Sequence, residues 1–265
     1  MIPFDCAQTQ AWIKEAGRIG LSYYQTQLTR SYKGDHSPVT EADKTIEQFI
    51  IGKIEKAYDS HQFGIIAEES GGDWLGKEFV WAIDPIDGTR VFIDGLPLWC
   101  ISIGLLRHGE PYRGVVYLPV LDEIYYTNDE GIPFWNNRPL MGMIRTTWDR
   151  DSFICVPSGA HRYFNIDFRR LRALGAIATH HIYVTRGAAV AALHRKAKIW
   201  DLAGAHAILT AAGGVASYLD GQIFSMAEIL ATEQVMCQEP ILVGHPVVLE
   251  KLLPRIKFRQ MAVTT

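Results

Sequence analysis

The chain has 265 residues, 48% hydrophobic and 21% charged, a balance that suits a globular protein of one large domain or two ordinary ones. Its 26 basic and 29 acidic residues leave a net charge of −3 with no polybasic run, which argues against nucleic acid or an acidic membrane as partner. Four cysteines without CxxC spacing, an N-terminus without a signal-peptide pattern and the lack of a span-length apolar stretch point to a reduced, cytoplasmic setting.

Gln8 to Gln27 reads as an amphipathic helix with Trp12, Ala16, Ile19 and Tyr23 on one face. Ser31 to Pro38 is polar, holds Gly and Pro, and reads as a loop. Thr40 suits the N-cap of a second helix, Glu41 to Tyr58, whose apolar face is Ile46, Phe49, Ile50, Ile54 and Ala57. Asp43 falls in its first turn. Ile65-Ile66-Ala67 is a short strand ending at Glu68-Glu69-Ser70. Phe79 to Ile83 is a buried strand that Pro85 is expected to stop. Gly88 then permits a tight turn, and Thr89 is placed to start a short helix, Arg90 to Ile93. Cys100 to Leu106 and Gly114 to Leu118 form a hairpin across Arg107-His108-Gly109-Glu110, and Ile124 to Thr127 adds a third strand. The first half therefore reads as two helices on an antiparallel sheet.

Beyond about residue 140 the rhythm changes. Phe153 to Val156 reads as a strand, Asn165 to Leu174 as a helix, Ile182-Tyr183-Val184 as a strand and Gly187 to His194 as a short helix. Leu202 to Ala212 is a strong helix closed by Gly213-Gly214, followed by a strand, Val215 to Tyr218, and a turn at Asp220-Gly221. The alternation predicts a smaller α/β half over residues 141–265, beside residues 1–140. His180 and His181, placed on a strand, would face opposite ways and could not chelate one ion. Trp99, Trp135 and Trp148 are expected in packing.

Five carboxylates fall at the ends of elements: Asp43, Glu68, Asp84, Asp87 and Asp201. Each has a plain structural reading. Asp43 could be a capping charge, Glu68 part of a solvated loop pair, Asp201 the N-cap of the helix at Leu202, and Asp84 and Asp87 turn formers. The last reading is the weakest, because two anions at the end of a buried strand repel unless a positive charge lies between them. A strand end of this kind facing a helix start suits hard cations and a phosphate.

Four segments occur in order: Val39-Thr40-Glu41-Ala42-Asp43, Ala67-Glu68-Glu69-Ser70, Asp84-Pro85-Ile86-Asp87-Gly88-Thr89 and Trp200-Asp201-Leu202-Ala203-Gly204. Together they resemble the motifs of the inositol monophosphatase family, Mg2+-dependent and Li+-sensitive sugar phosphatases, over about Trp12 to Val243. The resemblance implies a layered α/β sandwich, αβαβα, like that of inositol monophosphatase and fructose-1,6-bisphosphatase. It implies two or three Mg2+ ions. Glu68, Asp84 and the Ile86 carbonyl would hold the first, and Asp84, Asp87 and Asp201 the second. Glu68 would also reach a third. Gly88 and Thr89 would offer backbone N–H groups to the phosphate, and Asp43 with Thr89 would orient the water. The implied reaction is in-line attack of a metal-activated water on a small polyol or sugar-like phosphate. The implied assembly is a homodimer. A non-catalytic protein on the same fold would be signalled by a lost ligand position, and none is lost here.

The substrate is less legible. Arg90-Val91-Phe92-Ile93 resembles the pattern of members acting on histidinol phosphate or phosphoadenosine phosphate; the plain reading of Arg90 is a surface arginine. Arg186-Gly187-Ala188-Ala189 resembles the family's Gly-Ala-Ala segment, which would put Gly187 and Ala188 in the substrate pocket. Counted from there, the approach to Trp200-Asp201 is shortened and lacks a sugar-binding acid. It carries Arg195, Lys196 and Lys198 instead, either a solvated face, a contact for a more anionic substrate or a subunit contact.

Overall fold

The computed structural model describes residues 2–26, 30–32 and 38–259. Helices and sheets alternate in five layers, the αβαβα sandwich expected. The outer helical layer is α1 (Cys6–Tyr23) and α2 (Glu41–Ala57). Asp5 caps α1 by accepting the Gln8 N–H at 2.7 Å. Trp12, Ile13 and Ala16 of α1 and Ile46, Ile50 and Ile54 of α2 are buried in one cluster. Ala57, expected on that face, is exposed at the helix end, and Phe49 is half-buried. Between these helices lie β1 (Arg30–Tyr32) and β2 (Pro38–Thr40), paired antiparallel. That ladder claims both ends of the expected loop, whose residues 33–37 lie outside the described residues.

The large sheet comes wholly from residues 63–139, in the order β3 (Phe63–Ala67), β4 (Phe79–Asp87), β5 (Cys100–Arg107), β6 (Glu110–Leu118), β7 (Glu123–Thr127), β8 (Pro133–Trp135) and β9 (Arg138–Pro139). Only β3 and β4 run parallel; every other pair is antiparallel. The β5–β6 turn has φ of 52° at His108 and 82° at Gly109, the double left-handed geometry of a tight hairpin. Strand β4 is buried on both faces, which is why it reads as an unbroken apolar run. Phe79, Trp81 and Ile83 face α1 and α2, while Val80 and Ala82 face the middle layer. Pro85 does not stop it. Pairing resumes at Asp87 opposite Cys100 after a register shift between Asp84 and Asp87, a bulge where the missing proline N–H costs no ladder bond.

The short helix α3 (Thr89–Ile93) follows β4, with Gly88 rather than Thr89 as its N-cap. The second half opens with β10 (Ile154–Cys155), α4 (Ala160–Tyr163), β11 (Phe164–Ile166) and β12 (Leu171–Arg172). The helix expected over Asn165 to Leu174 is therefore two strands. Phe164 pairs with Phe258 of a distant strand and Leu171 with Ile154, partners that local spacing cannot reveal. The strand expected at Ile182 to Val184 lies inside helix α5 (Ile177–Thr185), and the helix expected at Gly187 to His194 is a turn followed by β13 (Ala191–His194). Helix α5 is buried nearly all round, so its β-branched residues lack the polar stripe that marks a surface helix. Strand β14 (Ala197–Lys198) leads into α6 (Ile199–Ala211), which starts three residues earlier than expected and is followed by Gly213 at φ 90°.

The rest comprises β15 (Val215–Tyr218), α7 (Met226–Ala231), β16 (Met236–Cys237), β17 (Ile241–Gly244), α8 (Pro246–Leu252) and β18 (Ile256–Phe258). The second sheet has the order β12-β10-β13-β17-β15. Helices α5 and α6 form the middle layer, and α8 packs on the outer side of the second sheet.

Contact between α6 and the large sheet sets the site. A methyl group built on Gly104 of β5 would meet the Gly204 nitrogen at 2.6 Å, and one on Gly204 would meet Ser102 Oγ at 2.7 Å. Only hydrogens at these positions let the α6 backbone rest on the sheet. That close approach brings Asp201, one turn before Gly204, to the end of β4.

Candidate active site

Asp84 follows Val80 and Ala82 on the β4 face that looks toward α6, and it is 1% exposed. Its Oδ1 accepts the Ile86 N–H at 3.0 Å, which ties the carboxylate to the bulge. Asp87, 6% exposed, is held from the other side. Ile177 N–H donates to its Oδ1 at 3.0 Å and Ala178 N–H to its Oδ2 at 2.5 Å, both from the first turn of α5. The buried Cys100 thiol lies 3.6 Å from Oδ2, and burial pushes that thiol's pKa far up, so it stays a donor. Asp201 is at the third position of α6, where its Oδ2 accepts the Lys198 N–H at 3.1 Å. It is a first-turn acid and not the N-cap.

Glu68 stands just beyond β3, next to Asp84 and reached by the Lys198 ammonium at 4.0 Å. Burial, followed by the charges of Glu68, Asp87 and Asp201, pushes the Asp84 carboxyl well above the carboxylate range. Burial and the charges of Asp87 and Glu68 do the same to Asp201. Burial pushes Asp87 up to about 7, against the pull of the N–H groups of Ala178 and Ile177. Glu68, Asp84, Asp87 and Asp201 thus form one repelling cluster drawn from β3, β4 and α6.

Asp43 is fully buried at the start of α2. Its Oδ2 accepts the Thr40 N–H at 2.8 Å and the Thr40 hydroxyl at 2.6 Å, and its Oδ1 lies 3.4 Å from the Thr89 hydroxyl. The Ile86 carbonyl is a second acceptor for that hydroxyl at 3.2 Å. Gly88 has φ 89°, a conformation that favours glycine. Arg90 is exposed on the first turn of α3.

The structure does not bring Gly187 and Ala188 to this turn. They follow the C-terminal end of α5, whose opposite end binds Asp87, and nine helical residues span about 13 Å. The segment that meets the turn is Gly175-Ala176-Ile177-Ala178. A methyl built on Gly88 would lie 3.0 Å from Ala176 Cβ and 3.3 Å from the Gly175 carbonyl oxygen. The expectation of a shortened approach to Asp201 was counted from Gly187, so it loses its starting point. Glu47 was also missed. It is 2% exposed on α2, and it accepts the backbone N–H groups of Glu69 and Ser70, each at 2.8 Å, fixing the turn beside Glu68. A buried acid four residues after Asp43 on one helix face was the available signal.

The donor set is oxygen-only, as hard divalent cations require. Among the described residues no three acidic, histidine or cysteine side chains stand in a ready metal-binding arrangement. The large surface groove of about 630 Å3 lined by His161, Phe164, Asn165 and Arg255 includes none of these acids.

The sequence model of the inositol monophosphatase family matches residues 3–260. The chain belongs to that family. It is 29% identical over 264 residues to an inositol-1-monophosphatase of Mesorhizobium japonicum, covering 94% of each chain. It is 31% identical over 224 residues to a fructose-1,6-bisphosphatase/inositol-1-monophosphatase of Aquifex aeolicus, covering 77% of this chain and 80% of the relative. The crystal structure of SaIMPase-II with inositol monophosphate bound superposes with a TM-score of 0.74 at 26% identity, over 94% of this chain and 91% of that one. Family members are phosphoric monoester hydrolases and are generally metal-dependent.

Proposed function

We propose that the chain hydrolyses a small polyol or sugar-like phosphate monoester with Mg2+ as cofactor. The carrying observation is the buried cluster of Asp84, Asp87 and Asp201 beside Glu68, in which burial first and neighbouring carboxylate charge second raise the pKa values of the three aspartates. Cations placed among these carboxylates would offset the repulsion and favour their charged forms. Glu68, Asp84 and the Ile86 carbonyl would hold one Mg2+, and Asp84, Asp87 and Asp201 a second; Glu68 could contribute to a third. The ions supply positive charge to the phosphoryl oxygens and lower the pKa of water.

The chain's own residues do the remaining work. Asp87 is kept in place by two N–H donors from α5 and Asp201 by the Lys198 N–H, so each presents a fixed orientation. The Thr89 hydroxyl has one proton and two acceptors within reach, Ile86 O and Asp43 Oδ1. Were the Ile86 carbonyl to hold a cation, Asp43 Oδ1 would be left as the acceptor for that proton. The hydroxyl oxygen then accepts from the attacking water and aims it. Gly88 and Thr89 offer backbone N–H groups to the phosphate. Arg90, exposed at the same turn, adds a guanidinium at the rim.

The relatives' names support inositol phosphates and fructose bisphosphate as candidates, and Arg90 keeps histidinol phosphate and phosphoadenosine phosphate among them. A phosphate-release screen with Mg2+ across these compounds tests the reading. Turnover of at least one, lost on chelation and inhibited by millimolar Li+, is the expected outcome. Absence of release from all of them would refute it.

A further inference from the structure

Three basic residues precede Trp200, and the structure separates their roles. Arg195 lays its guanidinium 4.0 Å over the Tyr163 ring. Lys196 is exposed at φ 56°. Lys198 turns to the carboxylates: its Nζ lies 4.0 Å from Glu68 Oε1 and 5.1 Å from the Trp200 ring centroid. The pair stands at the mouth of the cluster, with side chains 20% and 12% exposed. Lys198 thereby touches two of the four acids, Glu68 through its ammonium and Asp201 through its backbone N–H.

An ammonium and a divalent cation cannot share one carboxylate without repelling each other. Release of Glu68 by Lys198 therefore favours Glu68 as a ligand. The long, flexible lysine stem allows its ammonium to swing away from Glu68 and the Trp200 ring, and an anion then favours that position. We propose that Lys198 couples cation and phosphate binding: paired with Glu68 it weakens Mg2+ binding, and a phosphoryl group that draws the ammonium away returns Glu68 to the cation. Lys198 is then a positioning residue whose charge makes the site take up its full complement of cations only together with an anionic ligand. This rests on the Mg2+ reading above. It also separates Lys198 from Arg195 and Lys196, which have no part in the coupling.

The test is calorimetric titration of Mg2+ into the wild-type chain, Lys198→Met and Lys198→Arg, each with and without inorganic phosphate. Methionine keeps an unbranched side chain of similar length, and the bond to Asp201 comes from the backbone, so the fold is expected to hold; Lys198→Gln is the second neutral variant should Lys198→Met melt early. In the wild type, phosphate should tighten Mg2+ binding by about fivefold or more, the range of ordinary site–site coupling. In Lys198→Met, Mg2+ should bind tighter than in the wild type without phosphate, and the effect of phosphate should fall below about twofold. Lys198→Arg should restore the wild-type pattern. Unchanged or weaker Mg2+ binding in the neutral variants, or undiminished coupling, would overturn the proposal alone. A wild-type chain that binds no Mg2+ would overturn it together with the metal reading.

Discussion

Asp87 shows how much of this site depends on single atoms. Both carboxylate oxygens are committed to backbone N–H groups of α5, yet the same side chain is expected to face a cation. Asp87→Asn keeps the shape but offers an amide NH2 to one of those N–H groups, leaving two donors opposed. The expected stability loss is about 1–3 kcal/mol, the usual cost of an unsatisfied buried polar group. Loss of the anionic ligand should lower Mg2+-dependent turnover by at least about a hundredfold. Thermal melting and phosphate release measure the two effects separately, and full turnover in a folded variant would remove Asp87 from the site. The resemblance placed Asp43, Glu68, Asp84, Asp87, Thr89 and Asp201 as one constellation, and the structure draws these residues together. It did not do so for Gly187 and Ala188, because a Gly-Ala pair recurs at Gly175-Ala176 and only the fold shows which pair touches Gly88.

Between elements, the unexpected feature is the core of α5, β13 and α6. His180, His181, His194 and His206 are all buried there. The rings of His180 and His194 lie 5.5 Å apart, those of His181 and His194 4.8 Å apart at 12°, and His206 meets His181 edge-on at 5.7 Å. Nearly parallel rings cannot direct in-plane lone pairs at one ion, so the stack is packing and not a chelate. His180 and His181, expected on opposite faces of a strand, both lie on helix α5 instead. Burial lowers all four pKa values, to about 4 for His180 and His206, and mutual repulsion adds to the shift of His181 and His194. The native state therefore holds these rings neutral while the unfolded chain titrates them near 6.5. Above that pH the groups are neutral in both states and cost nothing; as pH falls from about 6.5 toward 4, the unfolded chain takes up protons and stability drops. Each group contributes at most about 1.4 kcal/mol per pH unit. His194→Leu, compared with the wild type by denaturant unfolding at pH 7 and pH 5, should reduce the acid loss by about that amount over one to two units. An identical acid loss in both chains would place the titrating groups elsewhere.

At the scale of the whole molecule, five layers bring acids from sequence positions 43 to 201 to one end of β4. No helix among the described residues is long and apolar enough to cross a membrane, and the four cysteines are free and buried. Ile132 and Met141 are 41% and 60% exposed beside Pro133 and Leu140, whose backbones are bonded at 2.9 Å. They form an apolar spot at the end of the large sheet that a homodimer contact could bury. Light scattering is expected to give the mass of two chains for the wild type and a shift toward one for Met141→Glu. A wild-type mass of one chain across concentrations would end the dimer expectation.

What the sequence by itself determined is local and chemical. Thr40 before an amphipathic helix, an apolar run ending in Asp84-Pro85-Ile86-Asp87-Gly88, and His108-Gly109 between strand patterns each carry their structure within a few residues. Periodicity, caps and turn chemistry act over that range. The tertiary structure decided what depends on distant partners. It made strands of Phe164–Ile166 and Leu171–Arg172 and a helix of Ile177–Thr185, whose full burial erased the polar stripe. It carried β4 through Pro85 because a bulge removed the need for the missing N–H. It chose Gly175-Ala176 over Gly187-Ala188, turned Lys198 alone of its basic neighbours toward Glu68, and set Asp201 against Asp84 through the glycine contact of α6 with β5. The physical reason is the same in each case: burial and close packing are properties of pairs of segments, and a single segment does not contain its partner.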